Sequence, residues 1–246
     1  IYQCDWSSDV CSSDLMQALE WAVRYPDQVD AIIPIASTHA LEPQGVAWNA
    51  IARNAIMADP NWQGGHYYDT GRAPLDGMGV ARMVGHITYL SAPSLHGKFG
   101  RRLQHGGDLR YTLTEPEFEV ESYLRHQAAK FRQRFDPNTY LYLSRALSYF
   151  DLARAHGGGD LRAAVRHMHA RTLLISFTSD WLYPPSGSTA LADALRAEGH
   201  DVALEIIDAP YGHDCFLLEE DRQTPLIQRF LSASSATNGA APGAHA

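Results

Sequence analysis

The sequence predicts an α/β fold: a parallel sheet, incomplete at its start, with helices packed on it and a mostly helical block inserted into it. Three observations carry that expectation. Residues 173–177 are a short apolar run closed by a turn signal, the pattern of a buried strand. Residues 202–207 repeat the pattern after a stretch, 185–199, whose alanines and leucines recur at helical spacing. Residues 43–150 abandon the strand–helix alternation and read as one helix after another.

Taken in order, residues 1–15 look foreign to the rest of the chain. Ser7-Ser8-Asp9-Val10 is nearly repeated as Ser12-Ser13-Asp14-Leu15, with no helix or strand period, and the stretch reads like a translated sequencing adapter joined to a truncated gene. It is excluded from fold reasoning. Residues 16–25 read as a helix stopped by Pro26, and residues 29–36 as a buried strand. That is the second half of a βαβ unit whose first strand belongs before Met16, so the chain is expected to begin in the middle of a fold. The α/β part is assigned to 16–42 and 153–231, and the helical block to 43–152.

Within that block, helices are expected over 42–59, 75–90, 115–135 and 139–152. Loops such as Trp62-Gln63-Gly64-Gly65 and His96-Gly97-Lys98-Phe99-Gly100-Arg101-Arg102 separate them. Asp136 is the expected N-cap of the fourth helix, with Pro137 at its first position. Tyr140, Tyr142, Tyr149 and Phe150 are expected to pack that helix. A helical block inserted into a sheet is the usual form of a lid over a site. Residues 232–246, small, polar and turn-prone, are expected to be a disordered tail.

Composition narrows the function classes. The 246 residues, 45% hydrophobic and 20% charged, suit one or two globular domains. A net charge of −8 argues against a nucleic-acid surface. There is no run of apolar residues long enough for a membrane helix, and no basic-then-apolar start. Three cysteines are too few and too odd for a disulfide framework, which leaves a reducing cytoplasm as the default. His167-Met168-His169 has no HExxH or paired CxxC beside it, so the histidines read as surface residues and no metal is expected.

In a parallel α/β sheet, chemistry gathers at the carboxyl ends of the strands. Asp180 follows the first strand and His213 the second. Singly, Asp180 reads as a helix N-cap and His213 as a loop histidine. Together, an aspartate and then a histidine on successive strand-end loops match the last two members of an α/β-hydrolase triad, whose order is Ser…Asp…His.

Longer motifs carry a closer resemblance. Met16-Gln17-Ala18-Leu19-Glu20-Trp21, Ala81-Arg82-Met83-Val84-Gly85-His86-Ile87-Thr88-Tyr89-Leu90, Phe118-Glu119-Val120-Glu121-Ser122-Tyr123-Leu124, Tyr140-Leu141-Tyr142-Leu143-Ser144-Arg145-Ala146, Ser179-Asp180-Trp181 and Gly212-His213-Asp214 resemble the homoserine O-acetyltransferases from Met16 to about Leu231. These are α/β-hydrolase-fold acyltransferases of methionine biosynthesis. The resemblance implies a cytoplasmic homodimer with a helical lid and no permanently bound cofactor. It also implies acetyl-CoA as co-substrate and a ping-pong transfer of acetyl to the hydroxyl of L-homoserine through a serine. His213 would be the base that activates the serine, and Asp180 would hold the imidazole's tautomer.

By motif, Arg82, Tyr89 and Asp214 would contact the amino-acid substrate. Arg82 can grip a carboxylate with its planar fork, and Asp214 can accept from an ammonium. Arg82 and Tyr89, seven apart, share one helix face. The plainer alternatives are a solvated charge for Arg82 and a partner of a backbone amide for Asp214. Succinyl-CoA-using relatives tend to carry an arginine two residues after the catalytic aspartate. Leu182 stands there, which favours acetyl.

The departure lies at the nucleophile. The family's serine sits in a G-x-S-x-G-G-M-Q elbow, and counting back from Met16-Gln17 puts Ser12 at that register. Val10, Asp14 and Leu15 stand where glycines would be, and side chains clash in so sharp a turn. Register alone supports Ser12. The loop that would give one oxyanion-hole amide has no counterpart either, and losing one such donor typically costs about 10²–10³ in rate. The polypeptide as written is therefore expected to be inactive or nearly so. The competing readings are a homoserine O-succinyltransferase, a serine O-acyltransferase, an esterase on the same triad, and a poorly folding fragment with no activity.

Overall fold

β2 (Arg171–Phe177) runs through the middle of a three-stranded parallel sheet in the order β1-β2-β3, where β1 is Ala31–Ile32 and β3 is Val202–Ile207. The structure is a computed structural model describing the backbone of residues 8–237 and the side chains of residues 16–233. Residues 172–177 of β2 are buried without a break, as a strand must be when helices cover both faces of its sheet. Alternation divides its side chains between two cores. Leu174 faces Leu19, Ala22, Leu152, Val165, Leu191 and Leu195. Leu173, Ile175 and Phe177 face Ile207, Cys215 and Phe230 on the other side.

The expected strand over 29–36 is regular only at Ala31–Ile32, with an isolated bridge from Ile35 to Ile175. The cause is Pro34, which has no N–H to give the ladder, although its carbonyl still accepts from Ile175 N at 3.0 Å. α1 (Ser8–Arg24) begins earlier than expected and takes in residues 8–15, assigned above to a leader without helical period. Met16, Leu19 and Ala22 bury one face of α1, and a packed helix propagates through neutral Ser and Asp positions once nucleated. Residues 1–7 of that leader lie outside the described residues.

The helical block is α2 (Pro43–Ala58), α3 (Leu75–Tyr89), α4 (Ala92–Phe99), α5 (Glu119–Phe131) and α6 (Pro137–Tyr149). α4 corrects the expected loop over 96–102. Ser91 caps it by accepting from Ser94 N at 3.1 Å, Pro93 sits in its first turn, and Gly97 and Gly100 had hidden it. α5 is shorter than expected because Glu121 folds back to accept from the backbone N–H groups of Glu117 and Phe118, which fixes its start. Asp136 caps α6 as expected, accepting from Thr139 N at 2.7 Å. Tyr140 packs edge-on against Phe131 and Phe135, and Phe150 is half-buried. Tyr142 and Tyr149 are 80% and 73% exposed, so the packing expected of them is not realised.

α7 (Leu152–His156) and α8 (Leu161–Val165) return the chain to β2; α9 (Pro185–Ala197) connects β2 to β3; α10 (Cys215–Leu218) and α11 (Glu220–Thr237) follow β3. α11 continues through 232–237, where a tail was expected, and residues 238–246 lie outside the described residues.

α2 and α3 cross so closely at Gly77 that a Cβ there would stand 2.7 Å from Ile56 Cα. Gly97, inside α4, has open space around it. Gly77→Ala is therefore expected to lower stability by about 1–3 kcal/mol through overpacking. Gly97→Ala should raise it by about 0.5–1 kcal/mol through helix propensity. Urea midpoints of the two variants against the parent chain check both signs.

Candidate active site

Asp180 lies one turn beyond β2, where its N–H bonds Phe177 O at 3.1 Å. Its carboxylate is fully engaged. Oδ1 accepts from Leu182 N at 3.0 Å and Tyr183 N at 2.9 Å. Oδ2 faces His213 Nδ1 at 2.8 Å. The capping alternative is thus half right: Asp180 ties down the next turn, but α9 starts later, at Pro185, with Pro184 before it. A carboxylate oxygen accepts, so His213 donates through Nδ1–H, and Nε2 is the ring nitrogen turned away from Asp180.

His213 sits in a short 3₁₀ turn, Gly212–Asp214, after β3. It is 1% exposed and Asp180 2%. The rings of Tyr183 and Phe216 lie 5.1 Å from the imidazole and that of Tyr89 6.2 Å away. This aromatic sheath excludes water from the pair and strengthens its electrostatics. The turn is closed by Gly212 N donating to Ser179 Oγ at 2.9 Å, and Thr178 Oγ1 donates to Asp208 Oδ1 at 2.7 Å.

The helical block meets these loops at Leu90 and Ser91. Trp181 Nε1 donates to Leu90 O at 3.0 Å, and the Ser91 hydroxyl donates to Pro210 O. Gly212 has φ +81, and a Cβ on it would come within 2.7 Å of the Leu90 carbonyl carbon. Only glycine satisfies both the left-handed backbone and that approach.

α3 presents Arg82, His86 and Tyr89 on one stripe, at i, i+4 and i+7. Arg82 is 7% exposed, its guanidinium carbon 4.6 Å from the Phe131 ring centroid and 5.6 Å from that of Tyr89. Its Nε and Nη1 have no hydrogen-bond partner among the described residues. A solvated surface charge is excluded by that burial. Asp214, next to His213, feels Arg82, Lys98 and His213. Burial nevertheless dominates and pushes its carboxyl above the usual carboxylate range. Arg82 and Asp214 thus place a cation and an anion near His213, close enough for the guanidinium to act on the carboxyl. Leu182 packs with Met16, Leu147 and Tyr183 and brings no charge.

Residue 12 falls inside α1, with no strand before it among the described residues and its side chain outside them. The strand-to-helix elbow that the Ser12 register requires is not formed there, because the helix propagating from Met16 runs straight through the position. Sequence reading also missed His86 and Tyr123. Tyr123, from α5, hydrogen-bonds His86 Nδ1 through its hydroxyl at 3.1 Å, and burial together with the charge of Asp214 raises its pKa. The spacing of 82, 86 and 89 was the available signal for His86. Among the described residues, no group of three or more His, Cys, Asp or Glu is placed to hold a metal ion. No described helix is long and apolar enough to cross a membrane.

Residues 16–220 match the family described as alpha/beta hydrolase fold. The chain is 49% identical over 216 residues to the homoserine O-acetyltransferase of Solidesulfovibrio magneticus, covering 88% of this chain and 54% of that protein. It is 47% identical over 218 residues to the homoserine O-succinyltransferase of Paraburkholderia phymatum, covering 87% and 57%. The crystal structure of homoserine O-acetyltransferase from Bacillus anthracis superposes with a TM-score of 0.81 at 21% identity, over 89% of this chain and 58% of that one, a likeness of fold. The chain spans about half the length of the curated relatives it matches.

The raised Asp214 pKa has a stability consequence. Because the folded state holds the proton more tightly than the unfolded chain, Asp214 favours folding most below the unfolded carboxylate pKa of about 3.9, and that contribution is lost as pH rises through the folded value. Asp214→Asn is expected to be more stable than the parent at pH 7, with the gain disappearing near pH 3. Melting temperatures across that range check the sign.

Proposed function

The chain belongs to the alpha/beta hydrolase fold family, and from that premise we propose that it serves acetyl transfer from acetyl-CoA to the hydroxyl of L-homoserine, within methionine biosynthesis. The observation that carries the reading is the buried Asp180–His213 bond with Arg82 and Asp214 beside it. A triad alone would serve any acyl transfer, including ester hydrolysis. A cation and an anion set side by side fit a zwitterionic amino acid, which a simple ester does not need.

In this mechanism a serine supplied by the enzyme's nucleophile elbow gives its proton to His213 Nε2 as its oxygen attacks the acetyl thioester. His213 returns that proton to the leaving sulfur, and CoA departs as the thiol. The homoserine hydroxyl, held with its carboxylate on Arg82 and its ammonium on Asp214, then loses its proton to His213. Its oxygen attacks the acetyl-serine, and the proton passes back to the serine oxygen. Asp180 holds the imidazole tautomer and stabilises each imidazolium. Tyr89 lines the same face as Arg82, with its ring against both Arg82 and His213. Leu182 offers no charge to a succinyl carboxylate, which supports acetyl as the donor group. A soluble cytoplasmic homodimer with α2–α6 as its lid completes the proposal.

The test uses the chain joined to an N-terminal part bearing a G-x-S-x-G elbow, with homoserine, serine and water compared as acceptors. Homoserine should be preferred over both. Asp180→Ala and His213→Ala should each lower kcat by about 10³-fold or more. Normal turnover in either variant would overturn the assignment, and equal rates with water would make the protein an esterase. Arg82→Ala should raise KM for homoserine by about 10–100-fold while leaving KM for acetyl-CoA within twofold, because it removes a charged contact to the acceptor alone.

A further inference from the structure

We propose that the cavity between α2 and α6 is a binding site for a phosphate monoester carrying a flat ring, held by Arg53 and Arg145. The site is separate from the proposed transfer, since neither Asp180, His213, Arg82 nor Asp214 lines it. Its volume of about 450 Å³ is that of a small-molecule site. α2 contributes Arg53 and Met57, one turn apart, and α6 contributes Leu141, Tyr142 and Arg145. The loop that follows α2 closes the remaining side and is fixed from within. Trp62 Nε1 donates to Asn138 Oδ1 at 3.2 Å, and Asn138 Nδ2 donates to Gly65 O at 2.9 Å. Those polar atoms are spent, which leaves the two guanidinium groups to a ligand.

Charge is what marks this cavity. Arg53 is 4% exposed. Its Nη1 donates to Ser144 O at 3.0 Å and to Ser148 Oγ at 3.1 Å, which ties α2 to α6. That tie explains the donor but not the charge, because a neutral amide could make such bonds without burying a cation. Arg53 Nε and Nη2 bond to no described residue. No Asp or Glu lines the cavity, and none pairs with either arginine among the described residues. A second cation stands close instead: burial, and after it the charge of Arg145, lowers the pKa of Arg53. Arg145 rests its guanidinium carbon 5.6 Å from the Tyr149 ring centroid and makes no hydrogen bond to a described residue. Two like charges held together without a counter-ion, one of them buried, are stabilised by a bound dianion. A phosphate monoester carries about two negative charges at pH 7 and three acceptor oxygens, enough for two guanidinium forks. Beside the arginines, the exposed ring of Tyr142 and the side chains of Met57 and Leu141 offer a flat group a surface to cover.

Isothermal titration of the full chain with phenyl phosphate, inorganic phosphate, phenylacetate and phenol tests the site. Phenyl phosphate should bind at least about tenfold more tightly than each of the others, and more weakly at high salt. Arg53 also ties two helices, so the variants are made around it. Arg145→Ala should weaken phenyl phosphate by about tenfold, as loss of a charged hydrogen bond requires. Ser148→Asp should weaken it at least as much, because it sets a carboxylate against Arg53 Nη1 and neutralises the pair from within the fold. A melting temperature no lower than the parent's keeps that result free of unfolding. The proposal is overturned if either folded variant binds phenyl phosphate as the parent does. It is overturned too if inorganic phosphate or phenylacetate binds equally well, or if a chain with an intact helical spectrum binds none of the four. None of these readouts depends on the transfer reaction.

Discussion

Burying a carboxylate is tolerable only when its lone pairs are filled, and Asp180 is the group on which this structure depends. Its three partners belong to two segments: the amides of Leu182 and Tyr183 on its own loop, and the imidazole of His213 from the next. The pairing follows from sheet geometry. β2 and β3 end in register, with Phe177 beside Ile207, and parallel neighbours lie about 4.8 Å apart. Loops leaving the two strands on the same side are brought within one hydrogen bond of each other. Removing either partner would strand a buried polar group, so the site and the local stability are coupled through one contact.

The helical block is fastened to that contact instead of merely resting over it. Trp181 and Ser91 cross-link the aspartate and histidine loops to the end of α3, and Gly212 permits the approach. The orientation of α3 is thereby set from the sheet side, while the close crossing at Gly77 sets it against α2. Arg82, His86 and Tyr89 inherit their positions from both constraints. This is why residues about a hundred positions before the aspartate and histidine can share a space with them.

Elements whose signal is local were legible in the sequence. β3 and the start of α6 fall where the apolar run and the Asp136-Pro137 pair predict them. The aspartate and histidine were legible because each follows a strand, and strand order alone brings them together. Features that depend on tertiary context were not. β1 loses its ladder at Pro34 although its apolar pattern continues, and α4 hides behind two glycines. Tyr142 and Tyr149 carry the composition of core residues yet face outward on α6. The partnership of Tyr123 with His86 joins two helices across 37 residues, and no periodicity within either helix announces it.

Charge placement around His213 separates what the fold needs from what a ligand would supply. A core built for stability alone would give Arg82 a carboxylate and keep Asp214 in water. Here Arg82 is surrounded by the rings of Phe131 and Tyr89, with two of its nitrogens bonded to no described group, and Asp214 is held where burial disfavours its charge. Under the proposed function both costs would fall, the substrate carboxylate pairing with Arg82 and its ammonium with Asp214.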